Sequence, residues 1–122
     1  MGDRGISMAQ PEQRRYARVP VTLDCVLYSD GAPVDFGRTR NFSRGGVAVR
    51  GLSAPLPANA RLVIELRVDV GRTGERYRIP ARVTRSFDDG VAAVFTDAEP
   101  GTIAALERRV QEHRGGERRP DA

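Results

Sequence analysis

Lysine and tryptophan are both missing from this 122-residue chain, and cysteine and histidine occur once each, as Cys25 and His113. A single cysteine excludes an internal disulfide framework and suits a reducing compartment, the cytoplasm. One histidine and one cysteine supply no set of ligands at metal-binding spacing, so no metal is expected. Catalysis has as little to draw on. His113 falls at a helix end, and Cys25 stands on an apolar strand face, where a thiol acts as a small core residue. Asp88-Asp89-Gly90 reads as a hairpin turn rather than as a working carboxylate pair. No catalytic residue is assigned, and a non-enzymatic protein is expected. No apolar stretch approaches the roughly 18 residues of a membrane span. The first residues lack the apolar core of a signal peptide, and Ile6 stands where a myristoylation site wants Ser or Thr.

Aromatic residues make up only 6% of the chain, so its core must rest on Val, Leu, Ile and Ala. The length fits one domain large enough to bury such a core without staples. All 20 basic residues are arginine, against 16 acidic ones, for a net charge of +4. That balance favours anionic partners, but it does not separate a nucleotide receptor from a nucleic-acid binder. A coding bias towards arginine would give the same composition.

Residues 1–12 carry no periodic apolar pattern and are expected to form a flexible tail, with Met8 an alternative start to Met1. Pro20 holds Val19 extended, so the residues before it are not the interior of a continuing helix. From Val21 to Tyr28 the alternation of Val21, Leu23, Cys25 and Leu27 predicts a strand, and Asp30-Gly31 a tight turn. A more polar run covers Val34 to Arg40. Gly45-Gly46 then opens a third run containing Val47 and Val49. Leu62 to Val68 is the clearest strand, with Leu62, Ile64, Leu66 and Val68 inward. After a loop tip at Gly71 to Gly74, the residues Tyr77, Ile79, Ala81 and Val83 alternate. Pro80 lacks an N–H, so it must sit at an edge or a bulge. Asp89-Gly90 turns the chain into Val91 to Phe95.

Beyond Pro100 the period changes: Ile103, Leu106 and Val110 form one helical stripe. Gly115-Gly116 suits the end of that helix, with a charged, disordered tail over residues 114–122. Short strands at regular turn spacing imply a mainly β fold, a small antiparallel barrel of about six strands with one C-terminal α-helix, over residues 13–113.

Two short stretches stand out from this frame. Arg14-Arg15-Tyr16-Ala17-Arg18 precedes the first strand, offering three guanidinium groups at the expected barrel mouth. Asn41-Phe42-Ser43-Arg44-Gly45-Gly46 offers an amide, a hydroxyl and a glycine turn. Guanidinium forks match phosphates bidentately and can grip the O6 and N7 acceptors of guanine. The pairing of Arg14 and Arg18 with Asn41, Ser43 and Gly46, in the pattern Arg-x-x-x-Arg then Asn-x-Ser-x-x-Gly, resembles the signature of PilZ domains, bacterial receptor modules for cyclic di-GMP. The resemblance runs from about Gln13 to His113. It implies that Arg14 and Arg18 wrap the phosphates and guanines of the ligand, and that Asn41 and Ser43 read a guanine edge. Arg15 lies inside the motif. Gly46 is read as permitting close approach of backbone to ligand.

Each of these residues also has a plainer explanation. The arginines could be a solvated approach to a strand, and Asn41 and Ser43 ordinary turn residues. Arg85 is an addition beyond the motifs. Alternation puts it on the face of Tyr77, Ile79, Ala81 and Val83, so it either lies past the strand end in solvent or reaches the barrel rim, where it could stack on a base.

The resemblance thus implies a cyclic di-GMP receptor or adaptor. Its arginine segment, loose without ligand, would clamp down on it and signal to a downstream protein partner, with no membrane insertion. The alternatives are a small basic barrel binding RNA or single-stranded DNA, for which only Tyr16 and Phe42 offer stacking platforms, and a degenerate domain acting only in protein contacts.

Overall fold

Seven strands and one helix make up the computed structural model, which describes residues 17–117. In chain order the strands are β1 (Val19–Pro20), β2 (Asp24–Ser29), β3 (Ala32–Phe42), β4 (Gly46–Arg50), β5 (Arg61–Val70), β6 (Thr73–Ser86) and β7 (Gly90–Phe95), followed by helix α1 (Pro100–Glu117). Every pairing is antiparallel. The order β3-β2-β5-β6-β7-β4 is closed by a further β3–β4 pairing, giving a six-strand barrel, and β1 adds two residues beside β3. Closure leaves the six strands no long free edge. The tail of residues 1–12 expected from the sequence lies outside the described residues, as do Arg14 and Arg15.

The alternation read from the sequence builds the interior. Val21, Leu23, Cys25 and Leu27 are buried together with Val47, Val49, Leu62, Ile64, Leu66, Val68, Ile79, Ala81, Val83, Val91 and Ala93. Burial pushes the Cys25 thiol up to about 12, as suits an inert core residue. On α1, Leu106 and Val110 are wholly buried and Ile103 packs against the same cluster. Polar contacts also fasten the helix to the barrel. Arg109 grips Glu75 through Nε and Nη2, each at 3.0 Å. His113 Nδ1 donates to the Asp69 carbonyl at 2.9 Å, and Arg114 Nε donates to the Pro20 carbonyl at 3.2 Å. Arg114, expected in a disordered tail, is therefore helical, and α1 continues through Gly115-Gly116 to Glu117.

The first expected strand is broken in two. Val21 to Leu23 lie outside the ladders and are stitched to β3 by the buried Thr39 instead. Its Oγ1 donates to the Val21 carbonyl at 2.6 Å and accepts from Leu23 N at 2.8 Å. At the Asp30-Gly31 turn both residues have positive φ, 52° and 82°, the backbone of a type I′ hairpin. Pro80 pairs with Val63 of β5 and lies just past the last β6–β7 pairing, Ala81 with Phe95. Its carbonyl accepts from Thr96 N, but with no N–H it returns no bond, and the β6–β7 ladder ends there. The turn between β5 and β6 is confined to Gly71 and Arg72, tighter than the expected loop tip, because Thr73 and Gly74 already pair with Val70 and Asp69.

Candidate functional site

On the outer wall of the barrel one lateral row crosses four strands. Asn41 of β3 pairs with Ala48 of β4, Ala48 with Ala92 of β7, and Ala92 with Arg85 of β6. Three strand spacings separate its ends, about 14 Å. Two bulges create the row. Arg40 is the extra residue where β3 meets β4, between the Thr39 and Asn41 pairings. Thr84 is the extra residue where β6 meets β7, between Val83 and Arg85. A bulge shifts side-chain alternation by one, so Arg85 leaves the inward face of Ile79, Ala81 and Val83 and points outward. It therefore stands within β6, one residue before the strand ends, and not beyond the strand end.

The two alanines in the middle of the row make a shallow floor, and longer side chains stand around it. The resulting cleft, about 410 Å³, is lined by Arg18, Arg40, Asn41, Arg50, Arg85, Phe87, Asp89 and the two alanines. Four arginines therefore line one depression. Arg18 Nη1 donates to Asn41 Oδ1 at 2.7 Å, which orients both side chains. The Arg85 guanidinium lies 5.2 Å from the centre of the Phe87 ring, and Phe87 is 41% exposed. That leaves an aromatic surface and a cation within reach of a planar ligand.

Of the residues singled out in the sequence, the cleft joins Arg18, Asn41 and Arg85. Asn41 is a strand residue in β3 rather than part of a turn. Ser43 and Gly46 do not line the cleft. Ser43 is buried in the β3–β4 turn, where its Oγ accepts from Gly45 N at 3.1 Å and Gly46 N at 3.2 Å. At Gly46 a Cβ would lie 2.2 Å from the Ala93 carbonyl oxygen. The close approach that this glycine permits is therefore that of β7. Arg44 also has a structural contact, its Nε donating to Glu107 of α1 at 2.9 Å. Arg40, Arg50, Phe87 and Asp89 were not singled out for a site by the sequence. Each looks like an ordinary outward or turn residue until the register is known, and only their closeness in sequence to Asn41 or Arg85 hinted at more.

The PilZ domain model matches residues 12–112. The chain belongs to the PilZ domain family. Solved structures of the same fold include MotI/DgrA, the inhibitor of motility of Bacillus subtilis, at 22% identity and a TM-score of 0.68. That match covers 88% of this chain but 53% of MotI, so this PilZ chain spans about half the length of that relative. The PilZ domain of YcgR from Escherichia coli, solved with c-di-GMP, is 18% identical with a TM-score of 0.66, and the match covers 87% of this chain and 95% of that one. The PilZ domain of CeSA from a cellulose-synthesizing bacterium is 24% identical with a TM-score of 0.59, covering 78% and 95%. At these identities the solved structures show the fold. No curated protein matches the chain.

Among the described residues, no helix of this PilZ domain is long and apolar enough to cross a membrane, and no group of side chains could hold a metal ion.

Proposed function

We propose that this PilZ domain is a non-enzymatic receptor for cyclic di-GMP that changes conformation on binding and passes the signal to a protein partner. The cleft supports this best: it sets arginines around a small-residue floor, with an amide and an aromatic ring beside them. Guanidinium groups are suited to both halves of such a ligand, pairing bidentately with phosphate and stacking on or gripping guanine. Arg14 and Arg15 join Arg18 in the proposed site from the sequence motif, and they lie outside the described residues. Ser43 and Gly46 contribute by holding the turn that fixes Asn41.

The conformational part is proposed from how lightly the arginine segment is attached. Strand β1 pairs through only two residues, and Arg18 is held by one exposed hydrogen bond. Ligand phosphates in the cleft would give Arg18 a stronger, charge-assisted partner and draw the segment over the floor.

Isothermal calorimetry with cyclic di-GMP, cyclic di-AMP, GTP and a single-stranded oligonucleotide tests the receptor role. The expected result is saturable binding of cyclic di-GMP in preference to the others, with a shallow dependence on salt. A ligand with two phosphates releases few counterions, whereas a polynucleotide gives a steep salt slope. No heat with cyclic di-GMP at high micromolar concentration, alongside steeply salt-dependent binding of the oligonucleotide, would replace the receptor with a nucleic-acid binder.

A further inference from the structure

One acidic residue, Asp89, lines the cleft beside its four arginines. Among the described residues, no hydrogen bond or ion pair engages its side chain. Its backbone, in contrast, is fixed on both sides. Leu52 N donates to the Asp89 carbonyl at 2.9 Å, and Phe87 N closes the turn onto the Gly90 carbonyl at 2.8 Å. The β6–β7 turn therefore places Asp89 on the same cleft as the exposed Phe87.

A negative charge in a cleft for anions opposes phosphate, so what it can offer a ligand is hydrogen-bond acceptance. Guanine presents two adjacent donors, N1–H and the N2 amine, and a carboxylate accepts from both at once. Adenine presents an acceptor at N1 and would set it against that carboxylate. Asn41 is less suited to the task. Its amide has a single acceptor oxygen, which already receives Arg18 Nη1 at 2.7 Å.

We propose that the Asp89 carboxylate reads the N1–H and N2 amine of one guanine, with that base lying against Phe87, and so sets the domain's preference for guanine over adenine. This rests on the cyclic di-GMP receptor function proposed above. It gives the turn a specificity-determining role that the sequence motifs leave to Asn41 and Ser43.

The test is Asp89→Asn. Asn is nearly the same size as Asp, and among the described residues the Asp89 side chain makes no hydrogen bond to lose, so the fold should persist, and an unchanged melting temperature checks this. Calorimetry then compares cyclic di-GMP, cyclic di-AMP and cyclic di-IMP, the last lacking the N2 amine. Wild type should bind cyclic di-GMP most tightly. The variant should lose about tenfold or more for cyclic di-GMP, the scale of a hydrogen bond to a charged group. Its affinity for cyclic di-AMP should hold or rise, and its preference for cyclic di-GMP over cyclic di-IMP should shrink. An unchanged ratio among the three ligands overturns the assignment, leaving Asp89 a turn residue or a general electrostatic influence. Failure of wild type to bind cyclic di-GMP at all is a different result, which removes the receptor function and this inference with it.

Discussion

Arg18 and Asn41, 23 residues apart in sequence, are joined by a hydrogen bond of 2.7 Å from Nη1 to Oδ1. It links the two motifs directly, across the seam between β1 and β3. Both residues are accessible, so replacing either should leave the fold intact while altering the cleft.

Arg18→Ala is expected to weaken cyclic di-GMP binding by about tenfold or more, the loss of a charge-assisted contact. Asn41→Ala should cost an intermediate amount. The melting temperature of each should stay within a degree or two of wild type, as is usual for exposed sites within about 0.5 kcal/mol. Calorimetry and thermal melts on the same samples separate the two effects. Normal binding by Arg18→Ala would place the ligand elsewhere.

Gly46→Ala should act in the opposite way, on stability first. Its Cβ would lie 2.2 Å from the Ala93 carbonyl oxygen, a rigid backbone atom, and relief requires β4 and β7 to part. A cost of about 2–3 kcal/mol is expected, near the top of the usual range for overpacking, read as a lower urea midpoint. Ser43→Ala should cost about 1–3 kcal/mol by leaving the amides of Gly45 and Gly46 without their hydroxyl acceptor. Stability equal to wild type in both variants would mean that the turn is built differently.

Two carboxylates give the domain an acid limit. Hydrogen bonds from Tyr77 and Arg109 hold Glu75 below its usual 4.5. At Asp35 burial alone would raise the value, but bonds from the Phe36 amide and from the Ser53 side chain and amide outweigh it and hold it below 3.8. A depressed folded-state value stabilises the protein above the ordinary carboxylate range and loses that effect as pH falls through the folded value. Urea midpoints should therefore drop from about pH 5 downwards. Glu75→Gln and Asp35→Asn should each be less stable at neutral pH and show a flatter acid limb. A limb as steep as that of wild type in both variants would assign acid sensitivity to other groups.

Cys25 offers a direct reporter of opening. It is buried and its thiol stays protonated up to about 12, whereas the thiolate is the reactive form. At pH 8 the native protein should react with a maleimide or an aromatic disulfide only as fast as the barrel opens, and urea should accelerate labelling in step with unfolding. Rapid modification of the folded protein would contradict the placement of Cys25 inside the barrel.

The strands were legible in the sequence where inward residues alternate strictly, as from Leu62 to Val68, and the Asp30-Gly31 turn was legible because few residues tolerate positive φ. The site was legible in part. Arg18 and Asn41 were marked by their motifs, but the row from Asn41 to Arg85 depends on bulges at Arg40 and Thr84. A bulge is settled by how two distant strands fit, and neither residue type announces one. For the same reason strict alternation placed Arg85 on the wrong face. Arg50 and Asp89 were hidden differently: an outward arginine and a turn aspartate are common, and only the closing of β4 against β7 brings them to the cleft.

The β4–β7 ladder joins residues 46–50 to residues 90–94 and the β2–β5 ladder joins residues 25–28 to residues 63–66, whereas β2–β3, β3–β4, β5–β6 and β6–β7 are pairings between neighbours in the chain. Closing these two longer connections carries the larger entropic cost before any reward, and β4–β7, the longer of the two, is expected to zip up late as the barrel folds. The floor of the cleft, Ala48 opposite Ala92, lies in the seam itself. A ligand seated there would brace the last part of the barrel to assemble and the first to separate. It should therefore lengthen the lifetime of the folded state rather than hasten its formation. Chevron kinetics with and without cyclic di-GMP should show a slower unfolding limb and an unchanged folding limb, and an effect confined to the folding limb would mean that the seam forms early.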